Sequence, residues 1–377
     1  MIPPTLNELT TWISGACNQR CKYCFVYKLY ENQPAANMSH ETITSLLNFA
    51  KTRLKKNGLI WFFGGEPMCN YEGMQYTVRK AQAENLAIRF GLTTNLTQID
   101  EEKAKWMGDH NFGILCSLDL SKERHNKYRI YPDGSGTWDD AWKGLQFVRK
   151  HINKTPQIRA TFGPDTVKGI ADDMDSLIKQ GLTTLAVDAV YEAEWNEESL
   201  QLLADEFAKL RVYFEDWFNE GLNVHSMFVR DGIAPSINRT RSWYSHCGLG
   251  QGGLGVDVNG DLYPCHRFVS SRAIKIGNVK TGFEPERIDW IEKWQKTPPY
   301  SSKPTKCLTC SFKTACNGGC IAANYDTSGS PHIIPEAFCN IKQLCVEYFG
   351  DFTEKYNNNK AFTETFLKRR KQPEHVE

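Results

Sequence analysis

The sequence predicts an α/β fold, a parallel sheet built from strand–helix repeats and followed by a smaller cysteine-rich domain. Two observations carry this. From residue 9 to about residue 230, short β-branched or aromatic runs alternate with stretches of helical period and length. The 13 cysteines are unevenly spread: three lie at positions 17 to 24, eight lie beyond position 246, and only Cys69 and Cys116 lie between.

Strands are expected at Leu9–Ser14, Leu59–Phe63, Ile88–Thr93, Phe112–Leu118, Gln157–Phe162 and Thr184–Ala189. Helices are expected at Ser39–Lys55, Tyr71–Asn85, Glu101–Gly108, Trp138–His151 and Thr166–Gln180. Six such units argue for parallel strands joined by crossover helices. Ligands of such sheets sit at the carboxyl ends of the strands. Leu200–Glu220 repeats apolar residues at helical spacing and is expected to pack on the sheet or on the next domain.

A length of 377 residues suits two or three domains, drawn here as 1–235, 236–345 and a polar, solvated helical tail at 346–377. Lys and Arg number 45 against 44 Asp and Glu, so a nucleic-acid partner has no bulk electrostatic support. No apolar run reaches the length of a membrane span, and the first residues lack the pattern of a signal peptide. A cytoplasmic location is therefore expected, and there cysteines serve metals rather than disulfides. Cys69, Cys116 and Cys345 read as packing thiols.

Directly after the first strand stands Cys17-Asn-Gln-Arg-Cys21-Lys-Tyr-Cys24. Three thiolates leave one iron of a four-iron cube without a protein ligand, because a cluster takes four. A zinc site would call for a fourth local Cys or His, and none lies between Lys22 and Ser39. After the second strand comes Gly64-Gly65-Glu66-Pro67, where the glycines let backbone approach a ligand and Glu66 offers an acceptor to an ammonium group. Standing alone, the same four residues also make an ordinary strand-end turn.

The cysteine spacing, with Tyr23 before the last thiol, resembles the radical S-adenosylmethionine (SAM) superfamily. That resemblance implies an open (β/α)6 partial barrel and a SAM molecule chelated to the open iron. Reductive cleavage then yields a 5′-deoxyadenosyl radical. It also implies that Gly64, Gly65, Glu66 and Pro67 hold the methionine amine, with Tyr23 beside the cofactor. Ser117 becomes a candidate for the SAM carboxylate and Asn95 for nearby polar contacts, though both types also cap loops. Glu123 to Arg129 looks like a family signature; Arg129 suits a carboxylate, or else a surface ion pair. Arg159 on the fifth strand is a candidate catalytic residue if it faces the barrel mouth.

Beyond residue 246 the pattern is Cys247, twelve residues, Gly260, four residues, Cys265, then Cys307-x2-Cys310-x5-Cys316-x3-Cys320, and finally Cys339. This is similar to the SPASM domain of radical SAM enzymes, which carries two auxiliary clusters, giving three 4Fe–4S clusters in all. The resemblance implies that Cys307, Cys310, Cys316 and Cys339 hold one, and Cys247, Cys265 and Cys320 the other. The fourth position of the latter falls to His246, to His266 or to none. A zinc ribbon on Cys307, Cys310, Cys316 and Cys320 would leave Cys247, Cys265 and Cys339 unexplained. Asn259-Gly260 is a hairpin turn.

SPASM relatives act on peptides or proteins, so a peptide substrate is expected, with a flavodoxin or ferredoxin as reductant. In anaerobic sulfatase-maturating enzymes, which make formylglycine, an aspartate follows Tyr-Pro-Cys as base. Here Tyr263-Pro264-Cys265 is followed by His266, which looks more like maturases that crosslink ribosomal peptides by thioether or carbon–carbon bonds. His266 is then a candidate general base, its pKa ordinarily near neutral. Only sixteen residues precede Cys17, so leader recognition is assigned to a separate protein, to the barrel itself, or to neither. A non-catalytic electron carrier is the alternative from another class, and Gly64–Pro67 speaks against it.

Overall fold

The computed structural model describes residues 5–26, 36–237, 249–250, 252–270, 274–296, 307, 309–310, 312, 316 and 318–368. The first half alternates strand and helix as β1 (Leu6–Ser14), α1 (His40–Arg53), β2 (Leu54–Gly64), α2 (Tyr71–Ala83), β3 (Ile88–Thr94), α3 (Glu101–Asp109) and β4 (Gly113–Ser117). Then come α4 (Lys122–Tyr128), α5 (Trp138–His151), β5 (Gln157–Phe162), α6 (Ile170–Lys179), β6 (Thr184–Ala189), α7 (Glu197–Asn219), β7 (His225–Ser226) and α8 (Met227–Gly232). All six expected strands form, each parallel to its neighbour. The short α4 was not foreseen.

Local chemistry explains the boundaries. Ser39, Asp100 and Asn196 each accept a hydrogen bond from an amide of the first helical turn, so α1, α3 and α7 start where a capping oxygen is available. α7 buries Leu203, Phe207, Leu210, Phe214, Trp217 and Phe218, the apolar stripe of its sequence. β1 is buried along almost its whole length because it lies between β2 and β8, parallel to both.

After residue 236 the chain extends the same sheet. β8 (Gly253–Val256) lies beside β1, and β9 (Asp261–Tyr263), β10 (Gly277–Asn278) and β11 (Gly282–Phe283) follow antiparallel outward from it. Among the described residues the order is β11-β10-β9-β8-β1-β2-β3-β4-β5-β6-β7. The β8–β9 hairpin turns at Asn259-Gly260 as expected. Gly260 has φ +84°, and the Asp257 carboxylate accepts from the Asn259 and Asp261 amides at 2.9 and 2.8 Å. α9 (Pro285–Lys296), α10 (Ile321–Ser328) and α11 (Glu336–Phe349) complete the described cysteine-rich part. α11 packs on α7 and α8.

The tail is the main correction to the sequence reading. Instead of a solvated helix, α12 (Phe352–Lys355), α13 (Lys360–Phe362) and the turn after it bury Phe352, Tyr356, Phe362 and Phe366 against Phe214 and Phe218. Edge-to-face rings at centroid separations of 5.3 to 6.4 Å join the tail to α7. The basic run from Lys368 to Lys371 is outside the described residues after Lys368. No helix among the described residues is long and apolar enough to cross a membrane.

Candidate functional site

The carboxyl ends of β1 to β4 converge on the cysteine loop. Gly65 and Glu66 donate their amides to the carbonyls of Ser14 and Ala16 at 2.9 and 2.7 Å, so the Gly-Gly-Glu-Pro turn prolongs the β1–β2 pairing into the loop. Gly64 is required there. Its φ is +124°, and a Cβ would come within 2.1 Å of the Ser14 carbonyl oxygen. On the other side, the Arg20 and Lys22 amides donate to the carbonyls of Ile130 and Tyr128 at 2.7 and 3.0 Å.

Cys17, Cys21 and Cys24 are half-buried thiols. The Cys17 thiol lies within electrostatic reach of Cys21, Cys24 and Glu66 together. Burial is the chief reason that the Cys17 thiol is pushed far up and that of Cys21 to about 12, with the Arg129 cation partly relieving Cys21. As protonated thiols they are stable in this setting; as thiolates they need a positive partner. Among the described residues no three His, Cys, Asp or Glu side chains stand close enough to share a single ion. The loop offers three soft sulfur donors within eight residues. An iron–sulfur cube fits that donor set.

Glu66 is buried, and burial raises its carboxyl to about 7 despite three donors. These are the Met68 amide at 3.1 Å, the Thr94 hydroxyl at 2.8 Å and the Asn95 amide at 2.7 Å. A carboxylate has about four lone-pair directions, so one remains for an incoming ammonium group. Glu66 therefore also ties β2 to β3, which the sequence did not reveal. Asn95 reaches back to the loop, its Nδ2 donating to Asn18 Oδ1 at 2.9 Å and lying 3.9 Å from Cys17 Sγ. Ser117 ends β4 and is buried.

Arg129 corrects the sequence reading. Its Nε and Nη2 donate to the two oxygens of Asp119 at 2.9 and 3.1 Å, and both side chains are almost wholly buried. The guanidinium fork is therefore spent on a carboxylate of the protein itself. Tyr23 donates its hydroxyl to the same Asp119 at 2.5 Å, its ring lies under Arg129, and the Thr161 amide donates to Asp119 at 2.9 Å. Asp119 thus gathers the cysteine loop, the 128–130 segment and β5 into one unit. His125 supports it. Its Nδ1 accepts from the Asp119 amide at 3.2 Å, its Nε2 faces the Thr137 hydroxyl at 3.0 Å, and burial lowers the ring to about 3, so it stays neutral. Sequence reading singled out neither Asp119 nor His125 for a role of its own; the ten-residue spacing of Asp119 and Arg129 across a helix gave no sign that they pair.

Further along the rim, Arg159 is about one-third exposed and donates to Asp188 Oδ2 at 3.0 Å; Tyr191 donates its hydroxyl to Asp188 Oδ1 at 2.7 Å. Lys342 of α11, buried and paired with Asp231, lies within reach of Asp188 and over the rings of Tyr191 and Phe338. Burial pushes the Asp188 carboxyl up, but the Arg159 and Lys342 cations more than offset this and hold it low.

The cysteine-rich part reaches the same rim. The His266 ring packs edge-on to Phe63 at the end of β2, at 4.9 Å, and lies 6.4 Å from Phe25 of the cysteine loop. Arg267 stacks over Phe25 at 4.6 Å and pairs with Glu192 at 2.7 Å. Burial first, then the Arg267 and Arg159 cations, lower His266 to about 4. That is a correction to the expected near-neutral base, because an imidazole that holds its proton so weakly is a poor proton acceptor at neutral pH.

Cys265 begins the turn into residues 266–270, and Cys320 caps α10, where the Asn324 amide donates to its carbonyl at 2.8 Å. Arg267 lies within electrostatic reach of Cys320. The Cys316 thiol has Cys339, Cys310 and Cys307 as its charged neighbours, and burial raises it to about 11. Cys247 and His246 lie outside the described residues. Cys116 and Cys345 are fully buried, as expected of packing thiols, whereas half-buried Cys69 accepts from Gln98 Nε2 at 3.4 Å.

Comparison with known proteins agrees with this geometry. Residues 13–178 match the profile of the Radical SAM superfamily. The chain is 25% identical over 336 residues to a cysteine-type anaerobic sulfatase-maturating enzyme of Clostridium perfringens (strain 13 / Type A), covering 84% of this chain and 89% of that one. It is 20% identical over 365 residues to the radical SAM cyclopropyl synthase TigE of Paramaledivibacter caminithermalis, covering 89% and 72%. Among solved structures, native anSMEcpe with bound AdoMet superposes with a TM-score of 0.76 at 22% identity, covering 93% of this chain and 99% of that one, and shows the same fold. The family match sets aside the non-catalytic electron carrier. Residues 13–178 form a radical SAM domain, and the chain that carries it is an enzyme.

Proposed function

We propose that this enzyme oxidatively modifies a residue of a peptide or protein substrate after abstracting a hydrogen from it. The single observation that carries the reading is the meeting at one rim of three elements. These are the thiols of Cys17, Cys21 and Cys24, the Glu66–Asn95 pair beside them, and His266 with Arg267 from the cysteine-rich part. The three thiolates hold a 4Fe–4S cluster whose fourth iron site is left to SAM, and the bound cofactors supply reductive cleavage to a 5′-deoxyadenosyl radical. Gly64, Gly65, Glu66 and Pro67 orient the methionine end, with Asn95 and Ser117 at its edge. Tyr23 and Arg129 act through Asp119 to fix the loop rather than by gripping SAM themselves.

In this reading residues 1–235 fold as a partial (β/α)6 barrel, 236–345 form a SPASM domain with two auxiliary clusters, and 346–377 form a tail whose described aromatic residues pack on α7. Cys307, Cys310, Cys316 and Cys339 hold one auxiliary cluster, a grouping supported by the thiol neighbours of Cys316. Cys265 and Cys320, with Cys247, hold the other, supported by Arg267, two residues after Cys265 in sequence, lying within electrostatic reach of Cys320. Arg159 and His266 face the substrate space as polar groups, with the His266 ring neutral. A small electron carrier such as flavodoxin or ferredoxin supplies the electron, and leader recognition, where needed, comes from a separate protein. The cytoplasm is the expected compartment.

Thioether or carbon–carbon crosslinking is favoured by His266, which stands where an aspartate base would serve formylglycine synthesis. Formylglycine formation is the second reading, favoured by the sulfatase-maturating relative that spans most of the chain. One experiment separates them. The reconstituted enzyme is incubated with SAM, dithionite and a peptide from a neighbouring gene, and the products are read by mass spectrometry. Production of 5′-deoxyadenosine with loss of two hydrogens and linked residues supports crosslinking. A hydrazide-reactive aldehyde supports formylglycine. Absence of 5′-deoxyadenosine defeats both.

A further inference from the structure

Gln19 stands inside the cysteine loop and is 3% exposed. Its Oε1 accepts from Cys21 Sγ at 3.3 Å, its amide lies 3.4 Å from Cys17 Sγ, and its carbonyl accepts from Arg20 Nη1 at 2.7 Å. Its Nε2, in contrast, is buried with no hydrogen-bond partner. A buried donor left without an acceptor costs about 1–3 kcal/mol, and a folded chain rarely carries such a group without use. The nearby donors are already engaged: Arg129 Nε and Nη2 by Asp119, and Asn95 Nδ2 by Asn18. Gln19 Nε2 shares a carboxamide with an oxygen already at the Cys21 sulfur, so it lies beside that thiol.

We propose that Gln19 donates this N–H to a sulfur of the cluster held by Cys17, Cys21 and Cys24, and so sets how readily that cluster accepts its electron. An N–H···S bond stabilises the charge added on reduction and raises the reduction potential. Gln19 is a positioning and tuning residue in this account; it does not touch the reacting carbon. The inference rests on the three cysteines being the cluster ligands.

The test uses the reconstituted holoenzyme and follows the paramagnetic signal that changes when SAM is added, which isolates this cluster from the others. Gln19→Met keeps the length of the side chain and removes its donors. At the potential where the wild-type cluster is half reduced, its ratio of reduced to oxidised cluster is expected to fall at least threefold. A smaller change or a rise, with the signal intact, overturns the inference. If Gln19→Met takes up no cluster, the wild type carrying ¹⁵N in glutamine side chains decides. Magnetic coupling of the reduced cluster to a side-chain amide nitrogen is expected, and its absence overturns the proposal. A wild type without any SAM-responsive signal would instead defeat the ligand assignment itself.

Discussion

The two halves of the sheet rim are both polar, yet they are built differently. At the ends of β1 to β4, Asp119 and Arg129 are buried, each bound by several partners, and every partner comes from within residues 14–161. At the ends of β5 and β6, Arg159 remains about one-third exposed and Asp188 draws support from Lys342, more than 150 residues away. The first half is a fixed cradle, held by the chain's own buried ion pair and hydrogen bonds. The second is a looser wall completed by α11, as befits the side where a variable substrate would lie. Cofactor geometry demands rigidity, while substrate choice tolerates change.

This contrast makes ordered predictions. Asp119→Ala strands the Arg129 cation in a dry site and removes partners from Tyr23 and Thr161. It is expected to cost about 3–5 kcal/mol of unfolding free energy, measured by denaturant titration. Glu66 comes next. Its folded carboxyl is raised from 4.5 to about 7, so its proton favours the folded state. The associated stability is complete below about pH 4.5 and is lost as pH rises through about 7, up to about 3 kcal/mol in total. Unfolding of the iron-free chain at pH 5 to 8 should show this decline, and Glu66→Gln should flatten it. Asp188→Ala should cost least, about 1 kcal/mol, because water can reach the Arg159 left behind. Equal costs at Asp119 and Asp188 would erase the distinction between cradle and wall.

The cysteine loop and the Gly64–Pro67 turn were legible in the sequence because their parts are local, although the Asp119–Arg129 pair behind them was not. Three thiols in eight residues and Gly64 to Glu66 at a strand end carry the family resemblance, and the β-branched runs mark the strands. The wall was not, since nothing about Lys342 or Asp231 signals that they meet across the fold beside Asp188. The burial of the tail was missed for a related reason. Phe352, Tyr356, Phe362 and Phe366 are interleaved with Asn, Lys and Glu, and only the apolar face of α7 gives them a partner. Likewise, the weak basicity of His266 comes first from burial, with Phe63 against its ring, and then from the Arg267 and Arg159 cations, conditions that the Tyr-Pro-Cys-His segment does not contain.

The central claim is that the loop of Cys17, Cys21 and Cys24 presents an iron corner for SAM. Paramagnetic resonance of the dithionite-reduced, reconstituted protein, recorded with and without SAM, tests it most directly. The account predicts a signal that shifts on SAM addition in the wild type and is lost when all three cysteines are replaced by alanine. A SAM-responsive signal that survives that replacement would contradict it.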